Sequence, residues 1–111
     1  MRVRLLKEQT IRTFAKDHAN VQKHLNNWLD IILHYADWND PLDITKTVQA
    51  NLLGRNRVVF DIGGGGRNAC RIICEFLFGR RVVHLYVNWI GTHEEYNNLS
   101  DDEKRTIDMR Y

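Results

Sequence analysis

The chain has 111 residues, 16 Lys and Arg against 14 Asp and Glu, and a formal net charge of +2. With 43% hydrophobic and 27% charged residues it reads as one folded domain, 1–111, rather than a disordered tail. No run approaches the ~20 apolar residues of a membrane span, charges interrupt every apolar stretch of the first eight residues as no signal peptide allows, and the two cysteines are too few for a disulfide scaffold or a four-thiolate zinc site. The expected setting is the cytoplasm.

In chain order, Arg2 to Leu6 suits a short strand, since Val3 and Leu5 alternate with charges. Thr10 to Lys16 carries Ile11 and Phe14 at helical spacing. Val21, Leu25, Trp28, Leu29, Ile32 and Tyr35 then form one apolar stripe, predicting an amphipathic helix over 20–36. The only proline, Pro41, sits in loop chemistry, and Asp43 is placed as the N-cap of a short helical turn.

After Asn56 the period becomes two. Val58, Phe60 and Ile62 alternate with Arg57, Val59 and Asp61. A second strand sets Cys70, Ile72, Cys74 and Phe76 against Ala69, Arg71, Ile73 and Glu75. A third sets Val83, Leu85, Val87 and Trp89 against His84, Tyr86 and Asn88. Gly63–Gly66 and Phe78-Gly79-Arg80-Arg81 connect the three strands, and Ser100 with Glu103 fits a helix capping box. The fold class is therefore α+β: a short N-terminal strand, two helices, a three-stranded antiparallel meander with the helices on one face, and a short C-terminal helix. The other face is expected to stay partly open and to present Arg71, Glu75, His84, Tyr86 and Asn88.

Six arginines and no lysine lie between Arg55 and Arg81, with only Asp61 and Glu75 against them. Such an excess fits an anionic partner, because guanidinium binds phosphate bidentately; a solvated rim is the plain alternative. The glycine run is an incomplete dinucleotide fingerprint, with Asn68 at the third glycine position and no second βαβ unit, so a hairpin loop accounts for it better. Cys70 and Cys74 read as small core hydrophobes. No His, Cys or carboxylate spacing suggests a metal, and no cofactor is expected. His93 lies just past the third strand with Tyr96 three residues on. His, Tyr and Arg together suit RNA cleavage through the 2′-OH: one group takes a proton, one gives it, and arginine holds the phosphate.

Arg57-Val58-Val59-Phe60-Asp61-Ile62-Gly63-Gly64, then Arg71, Tyr86-Val87 and Ile90-Gly91-Thr92-His93-Glu94-Glu95-Tyr96 resemble the C-terminal signature of HigB-type toxins of the RelE superfamily. The resemblance runs roughly from Met1 to Leu99. It implies a β-α-α-β-β-β ribonuclease, a cytoplasmic mRNA interferase that enters the ribosomal A site and cuts mRNA there. It also implies a cognate HigA-like helix-turn-helix antitoxin, through which alone the toxin meets DNA. By that resemblance His93 and Tyr96 transfer protons and Arg71 stabilises the transition state. Arg57, Arg55, Arg67, His84 and Asn88 form the RNA-binding set. Two positions depart from the family: Asn88 where an arginine often stands, and Asn97 where aspartate usually follows the tyrosine. The competing reading is a non-catalytic RNA-binding or protein-interaction module that uses Arg71, Tyr86 and Trp89 as a basic-aromatic surface.

Overall fold

In the computed structural model, which describes residues 1–63 and 69–108, the alternating segments become the centre of a mixed sheet. Strand β1 (Arg2–Leu6) leads into helix α1 (Glu8–Asp17), helix α2 (Gln22–Asp30) with a π turn over Ile31–Tyr35, and helix α3 (Pro41–Thr47). Strands β2 (Ala50–Gly54), β3 (Arg57–Ile62), β4 (Cys70–Phe78) and β5 (Val82–Thr92) follow, then helices α4 (His93–Asn97) and α5 (Asp101–Thr106). The sheet order is β1-β5-β4-β3-β2, with β1 parallel to β5 and the other neighbours antiparallel.

The expected meander is therefore present as β3–β4–β5, widened to five strands by one strand at each edge. Strand β2 and helix α4 are elements that the sequence expectations do not include. Ala50-Asn51-Leu52-Leu53-Gly54 has neither alternation nor a β-branched residue, because an edge strand packs little on either side. Its hairpin to β3 turns through Gly54, Arg55 and Asn56, all at positive φ (85°, 52° and 60°). Arg55 thus stands in the left-handed region, at the tip of a turn. The segment after the glycine run is strand β4, where a dinucleotide fold needs a helix. Gly64 to Gly66 and Arg67 lie outside the described residues. The turn between β4 and β5 forms as expected, Gly79 N–H donating to the Val82 carbonyl at 3.0 Å.

The helical stripe packs on one sheet face. Ile11, Leu25, Trp28, Leu29, Ile32 and Ile44 are buried against Val58, Phe60, Ile72, Cys74, Val83 and Leu85. Trp28 meets the Phe60 ring edge-on at 5.1 Å. Each such side chain contributes about 1.5–3 kcal/mol by leaving water. The stripe stops short of Tyr35, which is 75% exposed. The last turn closes from Ala36 N–H to the Ile31 carbonyl, five residues back, and a wider turn carries Tyr35 away from the stripe. The N-cap of α3 is Asp40, which accepts from Leu42 N–H at 2.9 Å. Asp43 occupies the third helical position and accepts from the Asn39 and Asp40 N–H groups, so it completes a capping box instead of heading the helix.

Two expectations about the other face are corrected. Trp89 does not share a face with Val83, Leu85 and Val87. Ile73 is in register with Trp89 and Cys74 with Val87, so Asn88 is an extra residue in β5. A bulge shifts the parity of every later side chain: Ile90 turns to the helices and Trp89 to the opposite face. That face is also less open than expected. Val59, Ile73 and Trp89 form a second apolar cluster, covered by Leu53, Tyr96, Leu99 and Ile107. Glu75 and Tyr86 stay exposed, but Asn88 is buried and Arg71 is largely covered. The capping box of α5, Ser100 with Glu103, forms as expected.

Cys70 and Cys74 are free, buried thiols. Burial pushes the Cys70 thiol up to about 12 and raises Cys74 as well, which suits packing rather than nucleophilic chemistry. Among the described residues, no helix is long and apolar enough to cross a membrane.

Candidate functional site

Strand parity puts Arg71 on the second face, in register with Asp61 on one side and Gly91 on the other. Its guanidinium donates to the Asp61 carboxylate in an ion pair, both side chains at most 19% exposed. With water largely excluded, a charge-assisted hydrogen bond of this kind orients the guanidinium strongly.

Gly91 explains how the next element reaches Arg71. A Cβ there would lie 2.4 Å from Cζ2 and 2.5 Å from Cη2 of Trp89. The Cζ2–Cη2 edge of the indole therefore fills the space beside Gly91, and β5 runs straight into α4. Thr92 caps that helix: Glu95 N–H donates to Thr92 Oγ1 at 3.1 Å, and Thr92 N–H donates to Glu95 Oε1 at 2.8 Å. His93 opens the helix and Tyr96 stands three residues on, on the same side of one turn.

The result brings Arg71 and Tyr96 together, the guanidinium carbon 5.9 Å from the ring centroid. Lys104 of α5 places its ammonium 4.5 Å from the same ring, so two cations flank one phenol. The Tyr96 phenol is raised above its ordinary value: burial is the main cause, Arg71 opposes it and Asp101 adds to it. The hydroxyl therefore stays protonated through neutral pH and can give a proton. His93 keeps Nδ1 buried without a hydrogen-bond partner.

The other expected contacts lie apart from this cluster. Arg57 is four residues along β3 from Asp61, about 13 Å at ordinary strand rise. It is 7% exposed and donates from Nη1 to the Ile107 carbonyl at 2.6 Å. Asn88 is 5% exposed, with Nδ2 3.4 Å from Asp108 Oδ1 and Oδ1 unpartnered. Both thus hold the segment that follows α5. Arg55 is exposed at the far hairpin tip, and His84 lies near the opposite end of β5, in register with Leu77 and Arg4. Arg67 is outside the described residues. Replacing Arg57 by alanine strands the Ile107 carbonyl and removes packing under the C-terminal segment. The expected loss is about 1–3 kcal/mol, read as a Tm several degrees lower; an unchanged Tm would show that this contact carries no stability.

Lys104 is a participant that the sequence does not announce: it reaches the site through the docking of α5. Asp61, expected as one of the acids among the arginines, faces Arg71 because of the register of β3 with β4. Trp89, expected beside Arg71 only in the binding-module reading, reaches this face through the bulge. Among the described residues no three of His, Cys, Asp and Glu gather as a metal-holding group.

A mixed sheet with its helices on one face and short C-terminal helices is an α+β architecture compatible with a RelE-like fold. The model of the HigB toxin family, described as the RelE-like toxic component of a toxin–antitoxin system, matches residues 21–99. That is well over half of the chain, and the chain belongs to this family. It is accordingly the toxin component of a toxin–antitoxin system, with an antitoxin as partner. A search of curated proteins finds no match to it.

Proposed function

We propose that the protein is a ribosome-dependent mRNA endonuclease that acts through the 2′-OH of its substrate. The observation that carries this reading is the pairing of Arg71 with Tyr96, with His93 opening the same helical turn. In the proposed reaction the 2′-oxygen attacks the adjacent phosphorus and the bond to the 5′-oxygen breaks. The products are a 2′,3′-cyclic phosphate and a 5′-hydroxyl. His93 takes the 2′-OH proton and Tyr96, protonated at neutral pH, gives one to the departing 5′-oxygen. Arg71 binds the phosphate oxygens as charge builds on them. The phosphate must compete with Asp61 for that guanidinium, which favours the trigonal-bipyramidal, more highly charged state over the ground state.

The proposed substrate is mRNA in the ribosomal A site, which places the protein in the cytoplasm. The proposed antitoxin is HigA-like, with a helix-turn-helix fold, and no metal takes part on the toxin. Induced expression should arrest growth, and His93→Ala and Tyr96→Phe should each relieve the arrest while leaving the fold intact by circular dichroism. A folded His93→Ala protein as toxic as wild type would refute the assignment.

A further inference from the structure

The described surface holds a basic and aromatic patch away from Arg71. On β5, His84 and Tyr86 project from the same face as neighbouring alternate residues. Their rings lie nearly parallel, with centroids 6.1 Å apart and planes 18° from each other. Tyr86 is 39% exposed, and Leu77, in register with His84, is 55% exposed. Strand β1 adds charge to this face. Arg4 is in register with His84 and Arg2 with Val82; both are exposed, while Val3 between them and Leu5 after Arg4 are buried in the core. Arg80 and Arg81 stand exposed in the adjoining hairpin turn. No ion pair to a carboxylate is found for any of these four arginines among the described residues. A cavity of about 550 Å³ opens beside Tyr86, bordered by Leu6, Leu77, Glu75 and Asn88.

We propose that His84 and Tyr86 form a base-stacking platform for single-stranded RNA, with Arg4 and Arg81 holding the flanking phosphates. The inference rests on the reading that the protein acts on RNA. The exposed Tyr86 ring, with the half-buried His84 ring nearly parallel behind it, offers π surface to a base, and arginines beside them track the backbone. The cavity is in the size range of small-ligand sites and admits a base tipped in beside Tyr86. Glu75, in register with Tyr86, lines the cavity together with Asp108; a carboxylate there accepts from exocyclic amino groups, so it disfavours phosphate and favours a base at that point. Tyr86 precedes Gly91, the register partner of Arg71, by five residues, or roughly 15 Å along the strand. The platform therefore grips message within a few nucleotides of the scissile bond without touching it.

The test uses the full chain and a fluorescent, unstructured 2′-O-methyl RNA of nine nucleotides, which binds but offers no nucleophile. Tyr86→Ala should weaken binding roughly tenfold or more, by loss of stacking, and Tyr86→Phe should restore it. Arg4→Ala should lower the slope of log affinity against log salt by about one phosphate's share, ~0.7 for a single strand. Wild-type affinity in folded Tyr86→Ala, or in Arg4→Glu should Tyr86→Ala not fold, would overturn the platform. So would failure of the wild-type chain to bind the RNA, or loss of the antitoxin complex alone in these variants. Binding that responds as described in a protein that cuts nothing would leave the platform standing and refute the endonuclease reading instead.

Discussion

Arg71→Ala should slow saturated, single-turnover cleavage on programmed ribosomes by about 10²–10³, the worth of one preorganised donor aimed at developing charge. Ribosome binding, spread over many basic contacts, should weaken only modestly. Arg71→Lys should rescue poorly, because an ammonium keeps the charge and loses the fork that meets both Asp61 and a phosphate. The variant also leaves Asp61 partly buried without its cation, so thermal melting has to accompany the kinetics. A folded Arg71→Ala protein that cleaves at the wild-type rate once saturated would make Arg71 a binding residue.

Gly91→Ala should damage the site from a distance. Its new Cβ would fall within 2.5 Å of two atoms of the Trp89 ring and 3.2 Å from Glu95 Oε1. The indole is 6% exposed and packs on Val59 and Ile73, so it cannot step aside freely. Overpacking of this kind costs about 1–3 kcal/mol. The strain falls on the residue before Thr92 and on the Glu95 carboxylate that caps α4. A displacement of ~1 Å in Tyr96 and His93 is enough for about a 10²-fold loss of rate. The expected result is a lower Tm together with slower saturated cleavage. A normal Tm and rate would mean that Trp89 and α4 are free to adjust.

Much of this architecture is written in local periodicity. The stripe Val21, Leu25, Trp28, Leu29 and Ile32 lies buried as its spacing requires, and Val58, Phe60, Ile72 and Cys74 face it from the sheet. Period-two parity alone also puts Arg71 on the face away from the helices, where it is found. What escaped depends on register and docking. A single unpaired residue, Asn88, reverses Trp89 and Ile90, and no feature of Val87-Asn88-Trp89-Ile90 announces the extra position. Strand β2 owes its place to pairing with β3 rather than to its own pattern. The covering of Arg57 by Ile107 and of Tyr96 by Lys104 joins residues far apart in sequence, which composition and spacing do not register. The residues that carry the family resemblance, Arg57–Gly64, Arg71, Tyr86-Val87 and the Ile90–Tyr96 motif, all lie within the matched region, residues 21–99, which leaves out the first twenty residues of the expected Met1–Leu99 span and ends just before the capping box of α5.

The chemistry of the cut ends tests the central claim most directly. Purified toxin, its metal content fixed by elemental analysis, is added to ribosomes carrying a defined message with a filled P site. The 3′ and 5′ termini of the fragments are then characterised. The account predicts cleavage in the A-site codon leaving a 2′,3′-cyclic phosphate and a 5′-hydroxyl, by toxin with no stoichiometric metal, and none by Arg71→Ala on the same time scale. Intact message, or ends bearing a 5′-phosphate and a 3′-hydroxyl, would contradict it.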